Sequence, residues 1–466
     1  MKKRKKIILG SITGALALAL AGGGFWAYKT FVPQETPIDK NATVASNFYQ
    51  AVNKDWLLKA KIPADSPSID NFYTLGEDIK GKLKKDIKNL GEGKETSDIT
   101  GMSEFITFYK AASDYKQREK DGLEPLKPYL KEIEDIKDVN DLASKSASLT
   151  DKGIPLPFGY NVGTNAENTS QKQIQLSPPS ILLPDVSIYK DEASKKQYLT
   201  PIETATQKAL EMLGYSEKNS KRIVKEALEF DEIIAKYSLS NEEMSESKNL
   251  VHPKTAEEIN AYSGSFKLYD VIKGIMGRDL ETINVPNTKY FENYSKIVNQ
   301  DNFSKIKSWI LVQEAMAASN SLTEDYRLNF ASISMAIMGT QKPISKEDTV
   351  YEMSVNLFSD VMSVYYGRKY FGEEAKTDVT GMIDKIKNVY RGRLQQNDWL
   401  TEDTRNKAIE KLDKMKVFVG YQEDVDPGTK ELHLDPNKSF FELSEDIAQF
   451  GKRYTIDHFD DPIDKN

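Results

Sequence analysis

The chain has 466 residues, of which 29% are charged and 39% hydrophobic. This globular composition excludes a disordered chain and allows up to about three domains. There is no Cys and only three His, His252, His433 and His458, the nearest two 25 residues apart. That excludes disulfides, thiolate zinc sites, cysteine nucleophiles, a lipid-modified N-terminal Cys and a helix-borne histidine pair. The formal charge is −7, and the first 31 residues hold six basic residues and no acidic one. The remainder therefore carries 58 basic against 71 acidic residues, and a body at −13 argues against general nucleic-acid binding.

Lys2, Lys3, Arg4, Lys5 and Lys6 precede an uncharged apolar run from Ile7 to Tyr28. Its 22 residues reach about 33 Å as a helix, enough for a hydrocarbon core of roughly 30 Å. Residues 1–31 therefore read as a membrane anchor with the cations inside and the body outside. The alternative is a signal peptide cleaved after Ala19-Leu20-Ala21 and a secreted body. Phe25, Trp26 and Tyr28 resemble an interfacial aromatic belt, which favours the anchor. Residues 32–46 are polar, contain Pro33 and Pro37, and read as a linker.

From residue 47 the helical period dominates. Ile79, Leu83, Ile87 and Leu90 trace one stripe; Ile223, Val224, Ala227, Ile233, Ile234 and Tyr237 trace another. Val379, Met382, Ile383, Ile386, Val389 and Tyr390 form a third, and Ala408, Ile409, Leu412 and Met415 a fourth. All four are expected to be core. Thr323 and Thr401, each followed by two acidic residues, read as helix N-caps. Between 153 and 188 five prolines and a polar alternation around Lys172–Leu176 predict a short hairpin or extended segments. Lys416–Tyr421 is expected to leave its helix as a strand. The fold class is mainly α: a large multi-helix domain with a few short strands.

Several strings go beyond composition. Asn47-Phe48-Tyr49-Gln50 leads to Asn53-Lys54-Asp55-Trp56-Leu57, and Phe108-Tyr109-Lys110 to Gly122-Leu123-Glu124-Pro125-Leu126. Leu182-Leu183-Pro184-Asp185, Gly367-Arg368-Lys369-Tyr370-Phe371 and Trp399-Leu400-Thr401-Glu402 follow, and Gly420-Tyr421 closes the set. In this order they resemble the N-terminal region of the neprilysin-type zinc metallopeptidases, the family of neprilysin, endothelin-converting enzyme and bacterial oligopeptidase O. The resemblance spans about residues 46–466. Asn47, Ala51 and Lys54 depart from the family's opening motif, and the string around Glu347–Val355 is blurred.

The resemblance implies that residues 47–466 are a helical region ending before the zinc catalytic domain, so the chain reads as truncated. In the family, zinc is held by a His-Glu-x-x-His helix and a downstream Glu, with the first Glu activating water. No such string occurs in this chain, so no catalytic and no metal-binding residue is assigned. His252 and His458 read as loop positions, and His433 as a turn or strand end. The string His458-Phe459-Asp460-Asp461 superficially matches one beside the family's zinc helix, but its partner His is missing and Pro462 breaks a helix there. The string Asp114, Arg118, Gly122 implies that Arg118 binds substrate, since a guanidinium suits a peptide carbonyl or carboxylate. The piece around 47–75 would lack its packing partner, leaving Phe48, Tyr49, Trp56 and Phe72 exposed.

The function expected is the non-catalytic, cleft-covering half of a membrane-anchored extracellular peptidase. It would cut short peptides only with a separately encoded catalytic half, which would bring the zinc. The alternative is a stand-alone peptide- or protein-binding pseudo-enzyme. A carboxylate-pair enzyme is the weakest reading, because no local arrangement singles out a pair among 71 acidic residues.

Overall fold

The computed structural model describes residues 38–463. The anchor or signal segment lies outside these residues. Among the described residues the chain is mainly helical with one small sheet, and no helix is long and apolar enough to cross a membrane.

Several helices begin where the sequence offers a cap. Asn47 opens α1 (Phe48–Lys59), its side chain accepting the Gln50 N–H at 3.0 Å. Next come α2 (Asn71–Gly91) and α3 (Met102–Ser113). Asp114 caps α4 (Tyr115–Asp121), which stops at Gly122 with φ 62°, a conformation glycine adopts without strain. Then follow α5 (Lys127–Glu134) and α6 (Val139–Asp151).

The proline-rich stretch forms the hairpin expected of it. Strand β1 (Gly159–Thr164) pairs antiparallel with β2 (Lys172–Ser177), from Gly159 opposite Ser177 to Thr164 opposite Lys172. After α7 (Glu192–Met212) and α8 (Glu217–Tyr237), β3 (Pro253–Lys254) and β4 (Ile283–Asn284) complete a sheet of order β1-β2-β4-β3. Helices α9 (Phe303–Ala317) and α10 (Glu324–Met338) follow, the latter capped by Thr323 as the sequence suggests. Then come α11 (Lys346–Leu357), α12 (Ser359–Tyr366), a π turn at Gly367–Phe371 and α13 (Gly372–Gln395). Thr401 caps α14 (Glu402–Asp413), and α15 (Phe440–Asp457) is last.

These elements form two compact units. Among the described residues the first comprises 38–75, 114–346 and 438–463. Its centre is the packing of α8 on α9, where Phe230 meets Trp309 edge-on with ring centroids 5.9 Å apart. The stripe Ile223, Val224, Ala227, Ile234 is buried there as expected; each such large side chain contributes about 1.5–3 kcal/mol. Asp231 interrupts this apolar face. Its carboxylate accepts the Trp309 Nε1–H at 2.9 Å, the Leu182 N–H at 3.1 Å and the Tyr189 hydroxyl. Burial pushes its carboxyl up to about 6, against the pull of those donors. Three segments distant in sequence thus converge on one oxygen pair.

The second unit comprises 76–113 and 347–437. Phe105 and Phe108 of α3 close on Phe358, both with centroids 5.8 Å away, and Leu83 and Ile87 bury the α2 stripe. Two of the family-like strings meet here. A methyl at Gly367 would fall 2.0 Å from the Tyr421 ring, so only glycine admits that contact. Next to it, Lys369 Nζ reaches Asp86 at 2.9 Å, Glu95 at 3.0 Å and the Tyr365 hydroxyl at 2.9 Å. The Tyr370 hydroxyl donates to the same buried Asp86 at 2.6 Å.

Two expectations fail in this unit and a third fails in part, since of the stripe Ala408, Ile409, Leu412 and Met415 only Leu412 is buried and Met415 is exposed. Lys416–Val419 is not a strand, because among the described residues no strand lies beside it to take its hydrogen bonds. The α13 stripe is not core: the helix buries no residue and leaves Met382, Ile386, Val389 and Tyr390 exposed. It packs on α14 and the π turn, and nothing among the described residues of this unit covers its other face.

Replacing Asp231 with Ala would orphan three buried donors. Each orphan costs about 1–3 kcal/mol, so Asp231→Ala should lower stability by about 3 kcal/mol or more in urea unfolding followed by circular dichroism. A loss below about 1 kcal/mol would mean that water replaces the carboxylate.

Candidate functional site

Arg118 is the one residue for which the sequence implies a substrate contact. It sits in α4, a helix of two turns held at one end by the Asp114 cap and at the other by Gly122. That places its side chain inward, where it is 3% exposed. Its Nε donates to the Leu322 carbonyl at 2.9 Å; its Nη2 donates to the carbonyls of Leu322 at 2.6 Å and Asn320 at 2.7 Å. The guanidinium carbon lies 4.1 Å from the Tyr115 ring centroid and 4.7 Å from that of Phe440 on α15. Stacked cations of this kind gain from the negative ring faces. Burial lowers the affinity of the guanidinium for its proton, and Tyr115 and Glu324 oppose that.

The surroundings explain why an arginine is needed. The turn at 318–322 ends in the Thr323 cap of α10. Arg118 gathers two of its carbonyls. Next to it, Glu119 Oε1 accepts the Glu324 N–H at 2.8 Å, so α4 clamps the start of α10 twice. One turn on, Arg327 pairs with Glu324 through two 2.7 Å bonds and donates to the Ile344 carbonyl at 3.1 Å. The acceptors the guanidinium was expected to find on a peptide are here supplied by the chain's own backbone. A peptide carbonyl could bond these donors only after Asn320 or Leu322 had moved.

The histidines lie in separate settings. His252 precedes β3; its N–H donates to Asn284 Oδ1 at 2.7 Å and its carbonyl accepts the Val285 N–H at 3.0 Å. His433 is exposed, with Nδ1 3.9 Å from Glu104 Oε1. His458 is not a free loop residue. It is the C-cap of α15, its ring stacked on Tyr454 at 3.9 Å and its Nδ1 2.9 Å from the Tyr454 carbonyl oxygen. Its own carbonyl accepts Lys172 Nζ at 2.6 Å. Among the described residues no three His, Asp or Glu side chains group so as to hold a metal. The donor set present does not fit a catalytic zinc, which needs three protein ligands on one centre.

Two cavities stand out among the described residues. One of about 590 Å³ in the first unit is lined by Asn161, Gln175, Leu183, Asp185, Asn241 and Asn287 among others. Its single carboxylate, Asp185, is occupied by the N–H groups of Ser187 and Asn241, both at 2.8 Å. One of about 650 Å³ in the second unit lies along the 93–104 loop beside Thr429, Leu432 and His433. In the second, the Ser103 hydroxyl donates to Glu104 Oε2 at 2.5 Å, and His433 Nδ1 lies 3.9 Å from Glu104 Oε1. The sequence reading missed the buried carboxyls Asp231 and Glu314. For Glu314 the signal was present in the chain, a lone acid inside the apolar run Trp309–Ala317; Asp231 stands beside a second acid, Glu232, and only its place on the buried stripe of the helix sets it apart.

Arg118→Lys should recover only part of what Arg118→Ala loses, because one ammonium cannot bridge two carbonyls while stacked between two rings. Arg118→Ala is expected to cost about 2–4 kcal/mol, as the buried Leu322 carbonyl and the part-buried Asn320 carbonyl lose a charged donor. Thermal melting checks this, and a lysine variant as stable as the parent would refute the clamp.

The comparisons with known proteins agree with this fold. A family model described as peptidase family M13 matches residues 44–422. A neutral endopeptidase of Lactobacillus helveticus is 32% identical over 429 residues, covering 92% of this chain and 66% of its own length. A neutral endopeptidase of Lactococcus lactis is 29% identical, covering 91% and 67%. Among solved structures, PepO of Lactobacillus rhamnosis superposes with a TM-score of 0.85 at 23% identity, over 91% of this chain and 67% of that one. The zinc metalloprotease Zmp1 of Mycobacterium tuberculosis gives 0.79 at 19%, over 92% and 65%. The chain spans about two thirds of the length of these relatives. It belongs to the neprilysin-type peptidase family M13 and carries the N-terminal region of that family's fold.

Proposed function

We propose that this chain is the non-catalytic, cleft-covering helical half of a membrane-anchored extracellular neprilysin-like zinc metalloendopeptidase. It takes part in the proteolysis of short peptides only when a complementary catalytic half, which carries the zinc, packs against it. The relatives' names, neutral endopeptidase and zinc metalloprotease, supply the reaction class. No step of hydrolysis is assigned to a residue of this chain. The basic-apolar N-terminus supports the anchor, and in the assembled enzyme Arg118 serves the substrate side by fixing the turn at 318–322.

The observation that carries the reading is apolar surface left in the open. Phe72 is 83% exposed, and Phe48, Tyr49, Val52, Leu58, Ile62 and Leu75 are exposed on the same N-terminal stretch; Trp56 is half-buried. In the second unit Trp399 is 79% and Phe418 74% exposed, with Met382, Ile386, Val389, Tyr390 and Met415 exposed too. Single exposed hydrophobes are ordinary, but contiguous stripes of them mark surfaces meant for another polypeptide. The relatives carry about a third of their length beyond what this chain matches.

The full chain, purified in detergent, is expected to show no chelator-sensitive cleavage of a short peptide alone. Co-expression with the C-terminal third of the L. helveticus relative should restore it. Ile386→Glu combined with Phe418→Asp should reduce that restored activity at least about tenfold, roughly 1.4 kcal/mol, without altering the melt of the chain alone. Zinc-dependent cleavage by the lone chain would sink the proposal. Saturable peptide binding without complementation would favour the stand-alone binding module.

A further inference from the structure

Glu314 is a carboxyl in the wrong surroundings. It lies in α9 within Trp309-Ile310-Leu311-Val312-Gln313-Glu314-Ala315-Met316-Ala317 and is 5% exposed. Its carboxyl makes no hydrogen bond and no ion pair among the described residues. Helix α15 brings Glu445 and Lys452 toward it, seven residues apart and so on one face two turns apart. From α5 comes Tyr129, from α10 Tyr326, and from the end of α6 Asp151, which acts on Lys452. The Tyr326 hydroxyl is spent on the Ala315 carbonyl at 2.9 Å, and Lys452 Nζ donates to the Thr150 carbonyl at 3.1 Å. Asp446, next to Glu445, is paired with Lys438 at 2.7 Å. None of these groups neutralises Glu314 by contact.

We propose that the seating of α15 on α5, α6 and α9 is proton-linked: the helix docks over a neutral Glu314, and its C-terminal half lifts when that carboxyl ionises. The helix is pinned at its start, where Phe441 is buried and meets Tyr129 edge-on at 5.4 Å. Residues 445–457 are half-buried or exposed, with no buried side chain. The opening is therefore local.

The direction follows from where the proton is held. Burial, then the Glu445 charge, pushes Glu314 up to about 8, against the pull of Lys452. Burial likewise raises Glu445 and lowers Lys452. A carboxyl whose folded value lies above its unfolded one favours the fold fully below the unfolded value near 4.5. That advantage falls away as pH rises through about 8. Above it a buried carboxylate faces Glu445 in low dielectric, and moving α15 into water relieves both.

Hydrogen exchange of the full chain, followed by mass spectrometry and corrected for intrinsic rates, reads the opening on peptides covering 445–457. From about pH 6 to about pH 7 protection should fall nearly tenfold, one proton released per opening, and it should level off above about pH 8. Glu314→Gln should hold its protection over the same range. Glu445→Gln removes a like charge and should move the transition to lower pH; Lys452→Gln removes a cation and should move it to higher pH. These opposite shifts test the idea even if Glu314→Gln does not fold. An unchanging protection in the parent chain, or the same fall in Glu314→Gln, would overturn it.

Discussion

The first unit depends on a single carboxylate that three donors share. Asp231 sits on α8, Trp309 on α9, and Leu182 and Tyr189 on the segment that follows β2. The apolar packing of α8 on α9 is non-directional and would tolerate sliding. The carboxylate is directional and does not. It fixes the register of the two central helices and ties the proline-rich segment to them, so the 590 Å³ cavity beside Asp185 takes its shape from a residue it does not contain. The second unit repeats the device at smaller scale, with Asp86 gathering Lys369 and Tyr370 at the π turn.

Much of the fold could be read from the chain. The stripes at 79–90 and 223–237 are core, the caps at Thr323 and Thr401 open helices, and the 153–188 stretch holds the hairpin. Each of these depends on local chemistry: period, capping or turn residues. The failures share a different cause. The α13 stripe has the right period and the right residues, but period states only that a face wants covering, not that anything covers it. Lys416–Val419 has strand-like residues and, among the described residues, no neighbour to pair with.

The candidate site was less legible for a related reason. A string of residues can mark Arg118 as special without stating what its guanidinium meets. Here the nearest acceptors lie about two hundred positions away in sequence, at Asn320 and Leu322, and no pattern within α4 announces them. Glu314 is the converse case. Its isolation within an apolar run could be seen in the sequence, whereas the approach of Glu445 and Lys452 could not.

The first unit is discontinuous: its last piece, 438–463, returns to a body whose main part ended at residue 346. A ribosome therefore delivers α4, α5 and α9 long before α15. Until then Phe440 cannot stack on Arg118, nor Phe441 on Tyr129, and Glu314 faces water. Ninety-one residues of the second unit, 347–437, must emerge in between. At about 5–20 residues per second that is a wait of several seconds. Contacts between such distant parts of a chain form late and slow the final folding step. In that interval the nascent chain shows an open apolar seat, which makes its last helix the step at which a holding chaperone has most to do.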